Sequence, residues 1–595
     1  MGNQIRDIQT SETSHSYALD KNVSVPLRSG GVIRCNVYRP KSSKIDDKYP
    51  VIITYGPYGK DVHYSYFHPG SYEEVDPGHK TDHSAWETPT PLYWTEKGYI
   101  VIRADEVGTG QSPGFLDALS STTIDSFHDL IEWAAEQPWS TGKVGLLGIS
   151  YFAVTQWLVA ARNPKGLAAI IPWEGFSDFY RDAVRHGGIL SNAGIDYIWN
   201  RQMGSNQYGL PGRAARNWGE DTIEGDLTTE ELEANRTTIV QGAREAPFRD
   251  GERSASVNLN PEDIQVPVLS VANWGGILLH LRGNVHGYMR AGSEFKYLRF
   301  IVGRHDLPFY YPEEVEVQRS FLDAFLKGDD RVGWSRKGEV PPVDVVLRKG
   351  DVGYNNPEGE KQFPRRKENE WPIARTQYTD LFLSPDGTLL WENAGVCEPR
   401  KIGYRALGNV NSMQFVSFTT PPFQLETEVT GHIVVHLNVS VTRDPGGSTP
   451  SDIDLFLSLR HLSTSGKEIY YTGTTGEPAP VTKGWLRVTL RKTNPQHPLH
   501  QPWLPYREYL STDVQPVIPN DVYGVDVELW PTNVVVGEGE RLVLDVGSGD
   551  TDGTGIFKHD DPTDRAESVF KGTNFIHFGL RYVNRITLPI IPNEK

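Results

Sequence analysis

Cysteine is nearly absent: Cys35 and Cys397 are the 2 in 595 residues. So few, so far apart, exclude a disulfide framework, and both read as free thiols. Free thiols suit a reducing compartment and predict a cytoplasmic protein. No run of about 18 apolar residues occurs, so no membrane span is expected. The opening MGNQIRDIQTSETSHSY has no apolar core, so no signal peptide is expected either. Positive charge is in deficit, 59 Lys and Arg against 76 Asp and Glu, for a net charge of −17. That argues against a nucleic-acid binder, which needs a basic face. Histidines and cysteines nowhere show metal-ligand spacing, so no metal or organic cofactor is expected. Internal repeats and low-complexity tracts are also missing.

What remains is a soluble globular composition, 38% hydrophobic and 23% charged. The length allows about three or four domains at roughly 150 residues each. The 15 tryptophans suit a big core or aromatic-lined pockets.

Residues 1–20 are polar and read as a loose tail. Val23 to Tyr38 alternates around Arg28-Ser29-Gly30-Gly31 and predicts a hairpin. Apolar strands follow at 49–55, 98–105, 144–149, 167–173, 266–272 and 297–303. Helical spacing separates several of them, as in Ile124 to Glu136 with Phe127, Leu130, Ile131 and Ala134 on one face. A closing helix is expected from Gln318 to Lys327. Strands alternating with helices predict a mostly parallel sheet covered on both faces. Residues 61–90 form a long irregular segment, a length that in compact domains is functional or disordered. Glu106 to Gly114 (EVGTGQSPG) reads as a tight strand-to-helix connection rather than a phosphate loop. Residues 178–260 interrupt the rhythm with polar, helix-prone sequence, including a capped start at Thr228, and read as an inserted helical cap. From about 340 the helical period stops. Short period-two strands, including 343–347, 430–439, 452–459, 485–490, 523–529 and 541–546, predict a β-sandwich. The expected division is 1–177 and 261–340 for the α/β domain, 178–260 for the cap and 341–595 for the β domain.

The chemistry centres on Val144 to Ala153. An apolar run ends at Gly148, then Ile149-Ser150-Tyr151, then a helical run: strand, sharp turn, helix. A serine on such a turn stands clear of the sheet, able to meet a base and a substrate carbonyl. The turn demands small neighbours. Gly148 supplies one; Ala153 supplies the other, three residues after the serine rather than two, so G-x-S-x-G is not matched as written. A serine nucleophile needs a base. His305, just past the last strand, points into the same crevice as Ser150. A third, acidic group should orient that histidine. The strand before it ends in Ala272-Asn273-Trp274-Gly275-Gly276, with no carboxylate. Glu174, directly after the strand that follows the serine, is the nearest candidate, with Asp178 and Asp306 as further choices. For the oxyanion, the Tyr151 backbone N–H and the Tyr58 hydroxyl are the candidate donors. Trp173 and Trp274, each at a strand end, are candidate substrate-binding aromatics.

Together these stretches resemble the cocaine-esterase and X-prolyl dipeptidyl-peptidase group of serine hydrolases, over nearly the whole chain. Gly148-Ile149-Ser150-Tyr151 is similar to the family's G-x-S-Y-x-G, with Ala153 in place of the last glycine. Pro57-Tyr58-x-Lys60 is similar to P-Y-x-K, and Asp105 to Gly114 to D-x-R-G-x-G-x-S-x-G with Val107 in place of arginine. His305 after Val302-Gly303 matches the family histidine, whereas Gly276 stands where the family has its aspartate. The resemblance implies an α/β-hydrolase domain with an inserted helical cap and a C-terminal jelly roll. It implies Ser150 as nucleophile, His305 as base and Tyr58 as oxyanion donor.

The expectation is a serine hydrolase that cleaves a small-molecule ester or amide through an acyl-enzyme. The alternatives are an acyltransferase or cyclising enzyme of specialised metabolism on the same site, an X-prolyl-type peptidase, and a catalytically inactive binding protein. Expected partners are the small-molecule substrate alone, with no nucleic acid and no membrane, and a homodimer as a possible assembly.

Overall fold

The computed structural model describes residues 5–6, 9–41, 47–393 and 395–592. Its strands up to residue 368 are β1 (Thr10–Glu12), β2 (Tyr17–Pro26), β3 (Val32–Pro40), β4 (Tyr49–Gly56), β5 (Ile100–Asp105), β6 (Ser140–Ile149), β7 (Leu167–Trp173), β8 (Arg185–His186), β9 (Ile189–Leu190), β10 (Val268–Asn273), β11 (Lys296–Ile301), β12 (Val343–Val346) and β13 (Arg365–Glu368). All but β8 and β9 form one 11-stranded sheet in the order β1-β2-β3-β5-β4-β6-β7-β10-β11-β12-β13. From β5 to β12 the neighbours are parallel. Such strands are buried on both faces, which is why they read as continuous apolar runs. The expected hairpin is β2–β3, paired antiparallel with Val23 opposite Cys35.

Helices α1 (Ser121–Glu136), α2 (Tyr151–Ala160), α3 (Leu281–Arg290) and α4 (Pro312–Leu322) pack on the sheet. α1 starts with a capping box between Ser120 and Thr123, satisfying N–H groups that have no intrahelical acceptor. α2 is buried along its whole length, which explains an apolar sequence without a polar stripe. α4 begins earlier than the expected Gln318, and the chain stays helical through Asp323–Lys327.

The inserted residues 178–260 contain short helical pieces such as Asn192–Ile198, Thr229–Ala234 and Ile239–Glu245, together with the β8–β9 hairpin. The expected cap at Thr228 is formed: Thr228 and Glu231 accept from each other's backbone N–H.

Three expectations need correction. The tail is not uniformly loose, because Thr10–Glu12 and the residues from Tyr17 onward are strands; residues 1–4 and 7–8 of that tail lie outside the described residues. The α/β sheet does not end at 340, since β12 pairs parallel with β11, Leu298 opposite Val343. Asp344 belongs to that strand. It is buried, paired with Arg299, Arg365 and Lys367, as a buried charge must be. Finally, neither Trp173 nor Trp274 borders the cavity at Ser150; Trp274 lines a separate small one beside Arg348 and Glu360. Trp173 packs edge-on against Phe309, ring centroids 5.4 Å apart. Trp274 stacks on Phe300 at 3.9 Å and donates Nε1–H to the Val346 carbonyl at 2.9 Å.

Beyond β13 the chain is all β, a 12-stranded sheet whose pairs are antiparallel. Its long central strands, Thr427–Thr442 and Tyr523–Val536, pair along most of their length. The alternating apolar residues form one cluster that includes Val435, Leu437, Leu455, Val527 and Leu544.

Trp274→Ala is expected to cost about 3–5 kcal/mol, the usual range for emptying a buried tryptophan site. A clearly lower melting midpoint checks this; an unchanged one shows that the stack on Phe300 carries no stability.

Candidate active site

The turn from β6 into α2 puts Ser150 at φ 56°, ψ −119°. A non-glycine residue there is strained and persists only where its surroundings hold it. They do: the Ser150 N–H donates to the carbonyls of Trp173 and Glu174, both at 3.1 Å, and the Ile149 N–H donates to the Glu87 carbonyl at 3.1 Å. The small residues are explained by contact. A Cβ on Gly148 would lie 2.7 Å from Phe152 Cβ. Ala153, the apparent departure, is accommodated by a second glycine across from it, because a Cβ on Gly175 would lie 2.4 Å from Ala153 Cβ.

Ser150 Oγ lies 3.2 Å from His280 Nε2, and the Tyr58 ring borders the same cavity. Burial, followed by the charge of Glu87, holds the Tyr58 phenol well above its ordinary range, so it stays a proton donor. Tyr58 is wedged against Trp86, Tyr151 and Phe152. The Tyr151 backbone N–H opens α2, where helix geometry leaves it without an intrahelical acceptor. Its side chain is tied away from the reaction: the hydroxyl donates to Glu106 at 2.7 Å and accepts from the Leu119 N–H at 3.0 Å.

The expected hydrogen bond between Ser150 and His305 is replaced by another arrangement. Both ring nitrogens of His305 face carboxylates: Nδ1 is 2.9 Å from Glu174 Oε2 and Nε2 is 3.0 Å from Glu87 Oε1. Burial alone lowers an imidazole pKa, yet the charges and hydrogen bonds of Glu174 and Glu87 raise that of His305 well above its ordinary value. Glu87, wholly buried, is pushed up to about 7 by burial, against the opposing pull of His305. His280 lies flat between two rings, 5.1 Å from His305 and 5.7 Å from Phe176. Its Nδ1 accepts the Phe176 backbone N–H at 3.3 Å. Burial, then the charge of His305, holds His280 well below the imidazole range, so it is neutral.

Glu174 is where the sequence reading put it, on the candidate histidine. Its other oxygen accepts from Asn273 Nδ2 at 3.1 Å. The two alternative acids are engaged elsewhere. Asp178 caps the turn at Arg181 and pairs with its guanidinium, and Asp306 accepts from Tyr64 and Trp86. Gly276 offers its carbonyl to the N–H groups of His280 and Leu281. The loop searched for a missing aspartate therefore carries a histidine instead. Sequence reasoning missed His280 and Glu87. The signal for the first was a histidine four residues past Gly276; for the second, a carboxylate inside the long segment 61–90.

Ser150, Tyr58, Tyr151 and His280 border a cavity whose other walls are apolar, including Phe176, Phe179, Ile195, Met203, Ile239 and Leu279. Among the described residues no group of three or more His, Cys, Asp or Glu could hold a metal ion, and no helix is long and apolar enough to cross a membrane.

Comparison with known proteins places the whole chain in a family. Residues 29–305 match the X-Pro dipeptidyl-peptidase (S15 family) model, and residues 336–587 match the X-Pro dipeptidyl-peptidase C-terminal non-catalytic domain. The chain is 32% identical to the cocaine esterase of Rhodococcus sp. (strain MB1 Bresler), covering 97% of this chain and 99% of that one. A CocE/NonD family hydrolase from Staphylococcus aureus superposes with a TM-score of 0.81 at 26% identity, over 99% of this chain and 98% of that one. An α-amino acid ester hydrolase shares the fold at 15% identity, TM-score 0.67, over 98% of each chain. The matched models and relatives span both the α/β part and the all-β part, and this chain belongs to the S15 family of serine hydrolases.

Proposed function

We propose that the protein hydrolyses a small, largely apolar ester through an acyl-enzyme on Ser150. The observation that carries this reading is Ser150 on its strained turn, hydroxyl in contact with His280, at the floor of an apolar cavity. Ser150 Oγ attacks the carbonyl carbon, and the charge that develops on the carbonyl oxygen meets the Tyr151 N–H and the Tyr58 hydroxyl. His305, oriented through Nδ1 by Glu174, is the proposed base. To act it exchanges Glu87 for Ser150 as the partner of Nε2. Water then releases the acid by the same steps in reverse order. Residues 178–260 act as the cap over this cavity, and the C-terminal domain, read as a jelly roll, walls the crevice. The free thiols, Cys35 buried and Cys397 exposed, fit a cytoplasmic location.

An ester is favoured over an X-prolyl peptide because the residues bordering the cavity include no carboxylate to hold a free amino terminus. The apolar walls also suit acyl transfer to a bound alcohol or amine, and product analysis with and without an added acceptor separates transfer from hydrolysis.

Ser150→Ala is expected to abolish turnover of an aryl ester and labelling by a fluorophosphonate; surviving labelling moves the nucleophile elsewhere. Glu174→Gln should lower kcat/KM at least about a hundredfold, since members of such a unit act together, and an unchanged rate removes Glu174 from it. The base works only when neutral, and His305 holds its proton to higher pH than an ordinary imidazole. The rate should therefore climb with pH on the alkaline side of neutrality. Glu87→Gln deletes one of the two carboxylates that raise His305, so the climb should move to lower pH. A profile that stays in place after that change excludes the Glu87–His305 pairing as its cause.

A further inference from the structure

Two histidines stand at this site, and the one touching Ser150 is not positioned as a proton acceptor. A neutral imidazole has one N–H and one bare nitrogen. The Phe176 backbone N–H can only donate, and it points at His280 Nδ1 at 3.3 Å. The bare nitrogen of His280 is therefore Nδ1, and the proton sits on Nε2, 3.2 Å from Ser150 Oγ. The ring cannot readily exchange these roles. It is clamped between Phe176 and His305, nearly parallel to both at 13° and 14°. Its backbone N–H is held by the Gly276 carbonyl, and its carbonyl accepts the Asn284 N–H at 3.0 Å. His280 is wholly buried and held neutral beside the charge of His305, so a second proton on Nδ1 is disfavoured twice over.

Resting on the reading of Ser150 as nucleophile, we propose that His280 is a catalytic hydrogen-bond donor to Ser150 Oγ, its Nε2–H stabilising the charge that collects on that oxygen, and that it is not the base. In acylation the Ser150 proton passes to His305 Nε2. An Oγ lone pair forms the new C–O bond, and the carbonyl π pair moves onto the carbonyl oxygen. When that pair returns, the leaving oxygen departs with its bonding electrons and takes the proton from His305. In deacylation water gives its proton to His305 as its oxygen bonds to the acyl carbon and the carbonyl π pair moves onto the carbonyl oxygen; when that pair returns, the C–Oγ bond breaks with its electrons going to Oγ, which recovers the proton from His305. Oγ is electron-rich on entering the first step and on leaving the second. At both moments a neutral N–H donor helps without giving up its proton, as preorganised donors do.

The test compares two variants of the full chain. Phe at 280 keeps the aromatic stack and removes the donor; Gln at 280 places an amide N–H near the same position. H280F is expected to lose about a hundred- to a thousandfold in kcat/KM for an aryl ester, the range for deleting one such donor, with KM little changed. H280Q should stay within about tenfold of wild type. Equal, deep losses in both variants assign proton acceptance to His280 and overturn the proposal, and so does an H280F rate within about threefold of wild type. If H280F does not fold, ¹⁵N-histidine spectra of the intact wild-type protein decide, with the His280 signals identified by their loss in H280Q. Protonated Nε2 with bare Nδ1 is the expected tautomer; the opposite tautomer sinks the assignment. Failure of Ser150 itself shows separately, as turnover that survives Ser150→Ala whatever the tautomer.

Discussion

The site depends on one short turn, the two peptides that follow β7. There the carbonyls of Trp173 and Glu174 both accept the Ser150 N–H, while the Glu174 side chain reaches His305. Glu174 itself sits at φ 45°, a conformation that non-glycine residues adopt only under constraint. One residue in a strained shape thus pins the nucleophile's backbone and aims the histidine's ring. Two strained positions in adjacent turns share their hydrogen bonds, so neither can relax alone. Gly175 follows immediately, and its missing side chain is what lets Ala153 and the start of α2 come close.

Around that turn the charges are stacked in order. Two buried carboxylates grip one imidazole, and that charged ring lies against a second, neutral ring, which alone reaches the serine. A buried imidazolium is tolerable where carboxylates pair it. Burial first, and then the charge of His305, keep a second proton off His280, which fixes what His280 can offer.

Much of this was legible in the sequence because it follows from periodicity and turn chemistry. The apolar runs marked the parallel strands, and the small residues around Ser150 marked the turn. Glu174 could be placed because it directly follows a strand that neighbours the serine's. What could not be read depended on which way side chains point after long excursions of the chain. Glu87 arrives from an irregular segment with no period to anchor it. His280 was hidden because its loop was searched for a carboxylate. Tryptophans 173 and 274 were misplaced for the complementary reason: a strand-end residue can face the crevice or the core, and at these positions the rings of Phe309 and Phe300 take them inward.

The two domains are joined at the chemistry as well as along the chain. The His305 N–H donates to the Thr474 carbonyl at 3.0 Å, and Thr472 packs so tightly on Gly275 that a side chain there would meet its carbonyl oxygen at 2.1 Å. The backbone of the imidazole is therefore seated by a segment synthesised long after it. A ribosome delivers Ser150 and His305 first and Thr474 much later. Until the later segment has folded into place, the growing polypeptide carries its nucleophile without a seated histidine, so the order of translation itself delays the moment at which the site is complete.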